Sequence, residues 1–273
     1  MPYIDVGGVQ HHYEVTGSPG KVGAPPLVLI HGWCGSARYW QPLVQDYGQE
    51  SLCLSYDLRG FGRSAAGAQD FSLASYSHDL LILLDKLGLE QVDINAHSMG
   101  ASIGLSFANL YPERVRKLVL TCTGVFEYQM LPFETFYFFS NLVIAVRPNW
   151  IVNFAAIRRS FQRRFVYQLL SDEFAQLFIE DYVIASAAAA RGTLSSSIGK
   201  HATFEMPDSF RRVRVPTLLI SGQHDRIIPA RGAQKAQQIN PRLGLEILAD
   251  TGHFPMLEKP AQYMRTMRSF LQV

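Results

Sequence analysis

The sequence predicts an α/β chain: a mostly parallel, twisted sheet flanked by helices and carrying a helical cap. Three observations predict it. Short apolar runs alternate with helical patterns through most of the 273 residues, and that alternation implies parallel crossovers. Several runs are apolar at every position, the pattern of strands buried on both faces. The rhythm breaks once, between residues 125 and 211, and then resumes.

Tyr3–Val6 and Gln10–Thr16 are β-prone and separated by Gly7-Gly8, a hairpin signal because both glycines accept positive φ. Pro25-Pro26 then introduces the strand Leu27–Ile30. Further strands are expected at Ser51–Tyr56, Val92–Ala96, Lys117–Thr121, Thr217–Ser221 and Leu245–Ala249. Ser75–Leu87 places Leu80, Leu81, Leu84 and Leu87 on one helical face, with Gly88 as a stop signal. Ser98–Leu110 is a helix of small and apolar residues ending before Tyr111-Pro112. The stretch 125–211 contains no convincing strand and is rich in helix formers. It reads as a cap inserted between two strands, leaving residues 1–124 and 212–273 as the core.

Composition narrows the function classes. Hydrophobic residues are 48% and charged residues 18% of the chain, with a formal net charge of +2. That is ample for a core, and it lacks the basic excess of a nucleic-acid binder. Cys34, Cys53 and Cys122 are far apart and form no CxxC pair, so they read as reduced thiols of a cytoplasmic protein. Residues 1–8 have neither a basic nor an apolar leader pattern. The longest apolar stretch, Phe136–Val146, is interrupted by Ser140 and Asn141 and is too short to span a bilayer.

Doubly wound sheets place their chemistry in loops at the carboxyl ends of strands, and five motifs fall there. Ala96-His97-Ser98-Met99-Gly100 follows a strand and opens a helix. Small residues on either side let strand and helix approach, so a Ser98 hydroxyl stands above the sheet and the Met99 N–H lies at the helix N-terminus. In isolation the same residues also fit a buried serine at a helix N-cap. His31-Gly32-Trp33 follows the strand Leu27–Ile30. An oxyanion needs two preorganised N–H donors, and Trp33 supplies one beside Met99. On its own that pattern also fits an ordinary strand-to-loop turn. Asp57-Leu58-Arg59-Gly60-Phe61-Gly62-Arg63-Ser64 reads as a tight loop anchored by Asp57 and Arg59.

Asp225 stands in the loop after the next-to-last strand, where an acid would orient a histidine. His253, preceded by Gly252, follows the last strand, and no other of the eight histidines does. Imidazole suits proton transfer near neutrality. His224 reads as structural or solvent-facing, and His11, His12, His78, His97 and His201 have bland readings on strands, helix surfaces or the turn before Ser98. No His/Cys/Asp cluster has metal spacing and no Gly-rich phosphate loop occurs, so no cofactor or metal is expected. Ser98, Asp225 and His253 stand in the order nucleophile, acid, base, each after an expected strand.

On these residues the chain resembles the α/β-hydrolase superfamily over nearly its whole length. His31-Gly32-Trp33 with Ser98-Met99-Gly100 is similar to small bacterial carboxylesterases, including the aryl esterase and perhydrolase group, and to pimeloyl-ester carboxylesterases. Serine at the nucleophile position separates it from haloalkane dehalogenases and epoxide hydrolases, which carry aspartate there. Asp57-Leu58-Arg59-Gly60 lacks the Pro-Gly common in carbon–carbon bond hydrolases. The resemblance implies a serine esterase acting on a small-molecule ester through an acyl-enzyme. Alternatives using the same three residues are a carbon–carbon hydrolase, a lactonase or a perhydrolase, and a non-catalytic receptor is the rival of a different class. Phe126, Phe133, Phe136 and Tyr137, with Tyr128, Phe138 and Phe139 nearby, are candidates for an apolar acyl pocket, or they only pack the cap. His97 and Phe254 join them as candidate substrate contacts. Arg158, Arg159, Arg163 and Arg164 form a basic run that fits a solvated helix face, anionic lipid or an acidic substrate.

Overall fold

Leu27–Ile30 (β3) shows how the chain layers itself. All four side chains are fully buried, Val28 and Ile30 in one core and Leu27 and Leu29 in the other. A strand that turns apolar groups both ways needs cover on both faces. The computed structural model describes residues 2–17, 25–68, 70–126 and 140–272.

The other strands are β1 (Tyr3–Val6), β2 (Val9–Thr16), β4 (Cys53–Tyr56), β5 (Val92–His97), β6 (Val115–Thr121), β7 (Thr217–Gly222) and β8 (Gly244–Leu248). They form one eight-stranded sheet in the order β1-β2-β4-β3-β5-β6-β7-β8. The first two are antiparallel additions at the edge, and every pair from β4 onward is parallel. Every expected strand is present, β1 and β3 with the bounds expected and the others with ends shifted by one or two residues. β4 starts at Cys53 rather than Ser51, and β6 starts at Val115 rather than Lys117.

Helices cover both faces. On one side lie α1 (Gln41–Tyr47) and the C-terminal helix, Pro260–Leu271; on the other lie α2 (Leu73–Lys86) and α3 (Met99–Leu110). α2 begins two residues earlier than expected because Ser72 caps it, its hydroxyl accepting the Ser75 N–H at 3.1 Å. Its buried face comprises Tyr76, Leu80, Leu83 and Leu84, with Leu81 and Leu87 only half-buried.

Between β6 and β7 the described residues contain helices and no strand: α4 (Ala155–Gln162), α5 (Asp172–Ile184), α6 (Ala187–Ile198) and α7 (Lys200–Arg212). α7 also packs against α3 and against α8 (Arg231–Ile239), so its last turns join the sheet-covering layer. Hydrogen bonds and ion pairs tie this segment to the chain that follows β3. Ser36 Oγ donates to Asp181 at 2.7 Å, and Arg38 pairs with both Asp181 and Glu180. The indole N–H of Trp33 donates to the Ala190 carbonyl at 3.0 Å. No helix of the described residues is long and apolar enough to cross a membrane.

Candidate active site

Ser98 sits between β5 and α3 with φ 56° and ψ −119°, a conformation that costs a non-glycine residue roughly 1–3 kcal/mol. Its surroundings hold it there. The Ser98 N–H donates to the Thr121 carbonyl at 2.9 Å, while its carbonyl accepts from Ala101 at 2.9 Å. Gly100 is required two residues on, because a Cβ there would run into the backbone oxygens of Ile30 and His31. The helix thus lies close against β3, and the serine projects from the turn.

Ser98 Oγ lies 3.0 Å from His253 Nε2, and His253 Nδ1 lies 2.7 Å from Asp225 Oδ2. Asp225 Oδ1 accepts the N–H groups of Ile227 at 2.8 Å and Ile228 at 2.9 Å. Burial pushes the Asp225 pKa up. The charge and hydrogen bond of His253, with the two N–H groups, pull harder the other way, so the carboxyl is held below the usual range and stays ionised. An ionised Asp225 fixes the proton of His253 on Nδ1 and leaves Nε2 as an acceptor facing the serine hydroxyl.

The His253 loop is secured from outside. The His253 N–H donates to the Phe165 carbonyl at 2.7 Å, and the Gly252 N–H bonds the buried Glu258 at 2.9 Å. Gly252 is required for steric room, because a Cβ there would sit 2.6 Å from the Phe165 carbonyl oxygen and 2.7 Å from the Tyr167 nitrogen.

Behind Ser98 runs a hydrogen-bonded relay. The Gly32 N–H donates to the Tyr39 hydroxyl, which lies 3.2 Å from His97 Nδ1. His97 Nε2 lies 2.7 Å from the His253 carbonyl oxygen. A carbonyl only accepts, so Nε2 carries the His97 proton and Nδ1 accepts from Tyr39. Burial, reinforced by the neighbouring His253, drives the His97 pKa well below the ordinary histidine range, and the ring is neutral. His31 makes a similar link, its Nε2 accepting the Leu58 N–H at 2.8 Å and its Nδ1 donating to the Gly32 carbonyl at 2.8 Å.

These groups open into a cavity of about 690 Å³. Trp33, Ser98, Met99 and His253 lie at its reactive end. Phe126, Phe161, Phe178 and Phe254 supply much of its apolar wall. Of the substrate contacts expected from sequence, His97, Phe126 and Phe254 line the cavity, His97 mainly as a relay. Phe133, Phe136 and Tyr137, with Tyr128, Phe138 and Phe139, lie outside the described residues.

The basic run divides. Arg158 donates to the Val152 carbonyl and Arg159 faces Asp172, while Arg164 lines the cavity. Asp57 is fully buried and accepts from Ala37 at 2.7 Å and from the Arg63 N–H at 2.8 Å, which holds its loop as expected. Arg59 does not bond Asp57; it binds Asp79 and Ser75. His224 is exposed and stacks on Tyr167 with ring centroids 4.1 Å apart.

His97, Cys122 and His253 bring their potential ligand atoms within 4.8 Å of one another. The two rings are already engaged, as described, and burial raises the Cys122 pKa far above the ordinary thiol range. A cation there would have to break the His253 arrangement and deprotonate a thiol that its surroundings keep neutral.

Residues 25–260 match the family model of the alpha/beta hydrolase fold. The chain belongs to the alpha/beta hydrolase family. It is 28% identical over 251 residues to RutD of Pseudomonas savastanoi pv. phaseolicola, named as a carbamate hydrolase, covering 91% of this chain and 94% of that one. It is 26% identical to the pimeloyl-[acyl-carrier protein] methyl ester esterase of Nitrosomonas europaea, covering 93% and 96% of the two chains. Among solved structures, the esterase of Exiguobacterium antarcticum superposes with a TM-score of 0.80 at 21% identity, covering 99% of both chains. The likeness to small bacterial esterases expected from His31-Gly32-Trp33 and Ser98-Met99-Gly100 therefore holds for this hydrolase.

Tyr39 and Glu258 were not singled out by the sequence. Tyr39 meets His97 across 58 positions, and nothing local to either residue marks the contact. Glu258 had a visible signal, since it stands five residues after His253 at the foot of the loop that carries it.

Proposed function

We propose that this hydrolase cleaves a carboxylic ester through an acyl-enzyme on Ser98, with His253 as base and Asp225 as its orienting acid. One observation carries the reading: a single imidazole lies 3.0 Å from a strained serine hydroxyl and 2.7 Å from a buried, ionised carboxylate. As Ser98 Oγ bonds to the ester carbonyl carbon, its proton passes to His253 Nε2. The carbonyl oxygen becomes an oxyanion, received by the N–H groups of Trp33 and Met99. The carbon–oxygen bond to the alcohol then breaks, and His253 delivers the proton to the departing oxygen. Water repeats the sequence on the acyl-enzyme, with His253 again as base, releasing the acid and restoring Ser98.

We read residues 125–211 as the cap whose helices wall the cavity and select the acyl group. Three buried, unpaired cysteines fit a reducing compartment, and we place the enzyme in the cytoplasm. The relative named as a carbamate hydrolase supports a second reading, in which the same three residues open a carbamate.

A panel of aryl esters, carbamates, lactones and vinylogous diketones of matched size separates these readings. Ester turnover at least tenfold above the other classes is the expected result. A preference for carbamates moves the assignment to the second reading, and inertness toward a fluorophosphonate probe rejects serine chemistry altogether.

A further inference from the structure

Arg231 and Lys235 stand one turn apart on α8 and share a face, and both line the cavity. Arg164, following α4, lines it as well. Among the described lining residues there is no aspartate or glutamate. Arg231 and Arg164 make no ion pair among the described residues.

A second, independent feature belongs to the same cavity. Ser197, 6% exposed and lining it, has a buried hydroxyl with no hydrogen-bond partner among the described residues. Its neighbours Thr193 and Thr203 spend their hydroxyls on the carbonyls of Ala189 and Gly199. A buried hydroxyl left without a partner is costly, and such a group in a cavity wall points to a ligand acceptor.

The two features come from helices that pack together. α6 packs on α7 and α7 on α8, and the Asn240 amide that ends α8 donates to the carbonyls of Phe210 and Val213 at the end of α7. The cavity wall therefore carries Ser98 and His253, apolar side chains, the cations Arg164, Arg231 and Lys235, and a Ser197 hydroxyl without a partner among the described residues.

We propose that this wall binds a carboxylate on the substrate, so that the substrate is an apolar ester bearing a second, anionic acid group. The inference rests on the ester-hydrolase reading for its chemistry, but not for its binding. Arg231 carries it, with Lys235 and Arg164 adding positive potential and Ser197 donating a hydrogen bond to the anion.

The test pairs each ester bearing a terminal carboxylate, on the acyl chain or on the alcohol, with its neutral terminal carboxamide. Binding of each pair to the Ser98→Ala protein by calorimetry reads affinity without hydrolysis, and kcat/KM of the unaltered enzyme reads turnover. One carboxylate ester binds about fivefold or more tightly than its carboxamide, and the ratio shrinks with added salt. Arg231→Gln collapses that ratio and Arg231→Lys keeps part of it, with melting curves confirming that both fold. Equal binding of ester and carboxamide in both pairs overturns the inference, as does a ratio that Arg231→Gln leaves intact. If the carboxylate is preferred in binding but no ester is turned over, the anion site stands and the hydrolytic reading fails.

Discussion

The Glu258 carboxylate holds the backbone on both sides of His253, accepting the Gly252 N–H at 2.9 Å and the Phe254 N–H at 3.2 Å. The same group accepts from Tyr167 at 2.7 Å and Gln168 at 3.0 Å, so it joins the His253 loop to the chain that follows α4. Bonds from N–H groups to an ionised acceptor are the stronger kind. Glu258→Gln replaces one acceptor oxygen with a donor and leaves at least one buried N–H unsatisfied. A loss of about 2–3 kcal/mol in urea denaturation is expected, with kcat falling more than KM changes. Unchanged stability and kcat would show that the loop is held by other contacts.

Tyr39 links the loop carrying Trp33 to His97 and, through it, to the His253 backbone. Tyr39→Phe removes the acceptor of the buried Gly32 N–H and the donor to His97. Stability drops by about 1–3 kcal/mol. If Trp33 supplies an oxyanion donor, a small displacement of its loop lowers kcat roughly tenfold or more while KM moves little. A rise in KM at constant kcat would place Tyr39 in substrate binding instead.

Asp181 couples pH to the junction between α5 and the loop after β3. Burial raises its pKa to about 6 against the pull of Arg38. A carboxyl whose folded value exceeds its unfolded value holds its proton more tightly when folded. Its contribution to stability is therefore complete below the ordinary carboxylate range and is lost as pH rises through about 6. Asp181→Asn removes this dependence. Between pH 4 and pH 7 the variant should gain on the parent protein by about 2 kcal/mol in unfolding free energy. Parallel stability curves for the two proteins would contradict this.

Most of the sheet and the site was legible because the signals are local. Leu27–Ile30 had to be a strand buried on both faces, and Ser98 and Gly100 had to be a sharp turn, since apolar runs and small residues state those needs within a few positions. The order Ser98, Asp225, His253 gave the meeting of the three side chains. What escaped was non-local. Glu258 and Tyr39 act through backbone N–H groups that folding brings to them, and no spacing rule announces such partners. The split of the arginine run, with only Arg164 facing the cavity, depends on where α4 ends. The need for Gly252 was hidden for a similar reason, because the obstacle it avoids is the carbonyl of Phe165, far away in sequence.

The central claim is that Ser98 takes the acyl group. Rapid mixing with an activated aryl ester, followed by acid quenching and peptide mass analysis, measures this directly. A burst of aryl alcohol close to one per chain and an acyl mass on the peptide containing Ser98 are the expected result. Ser98→Ala should abolish both and lower turnover by about 10⁴-fold or more, with its melting curve little changed because alanine keeps the Cβ of the strained turn. An acyl group found on another side chain, or a Ser98→Ala protein that keeps most of its esterase activity, would contradict it.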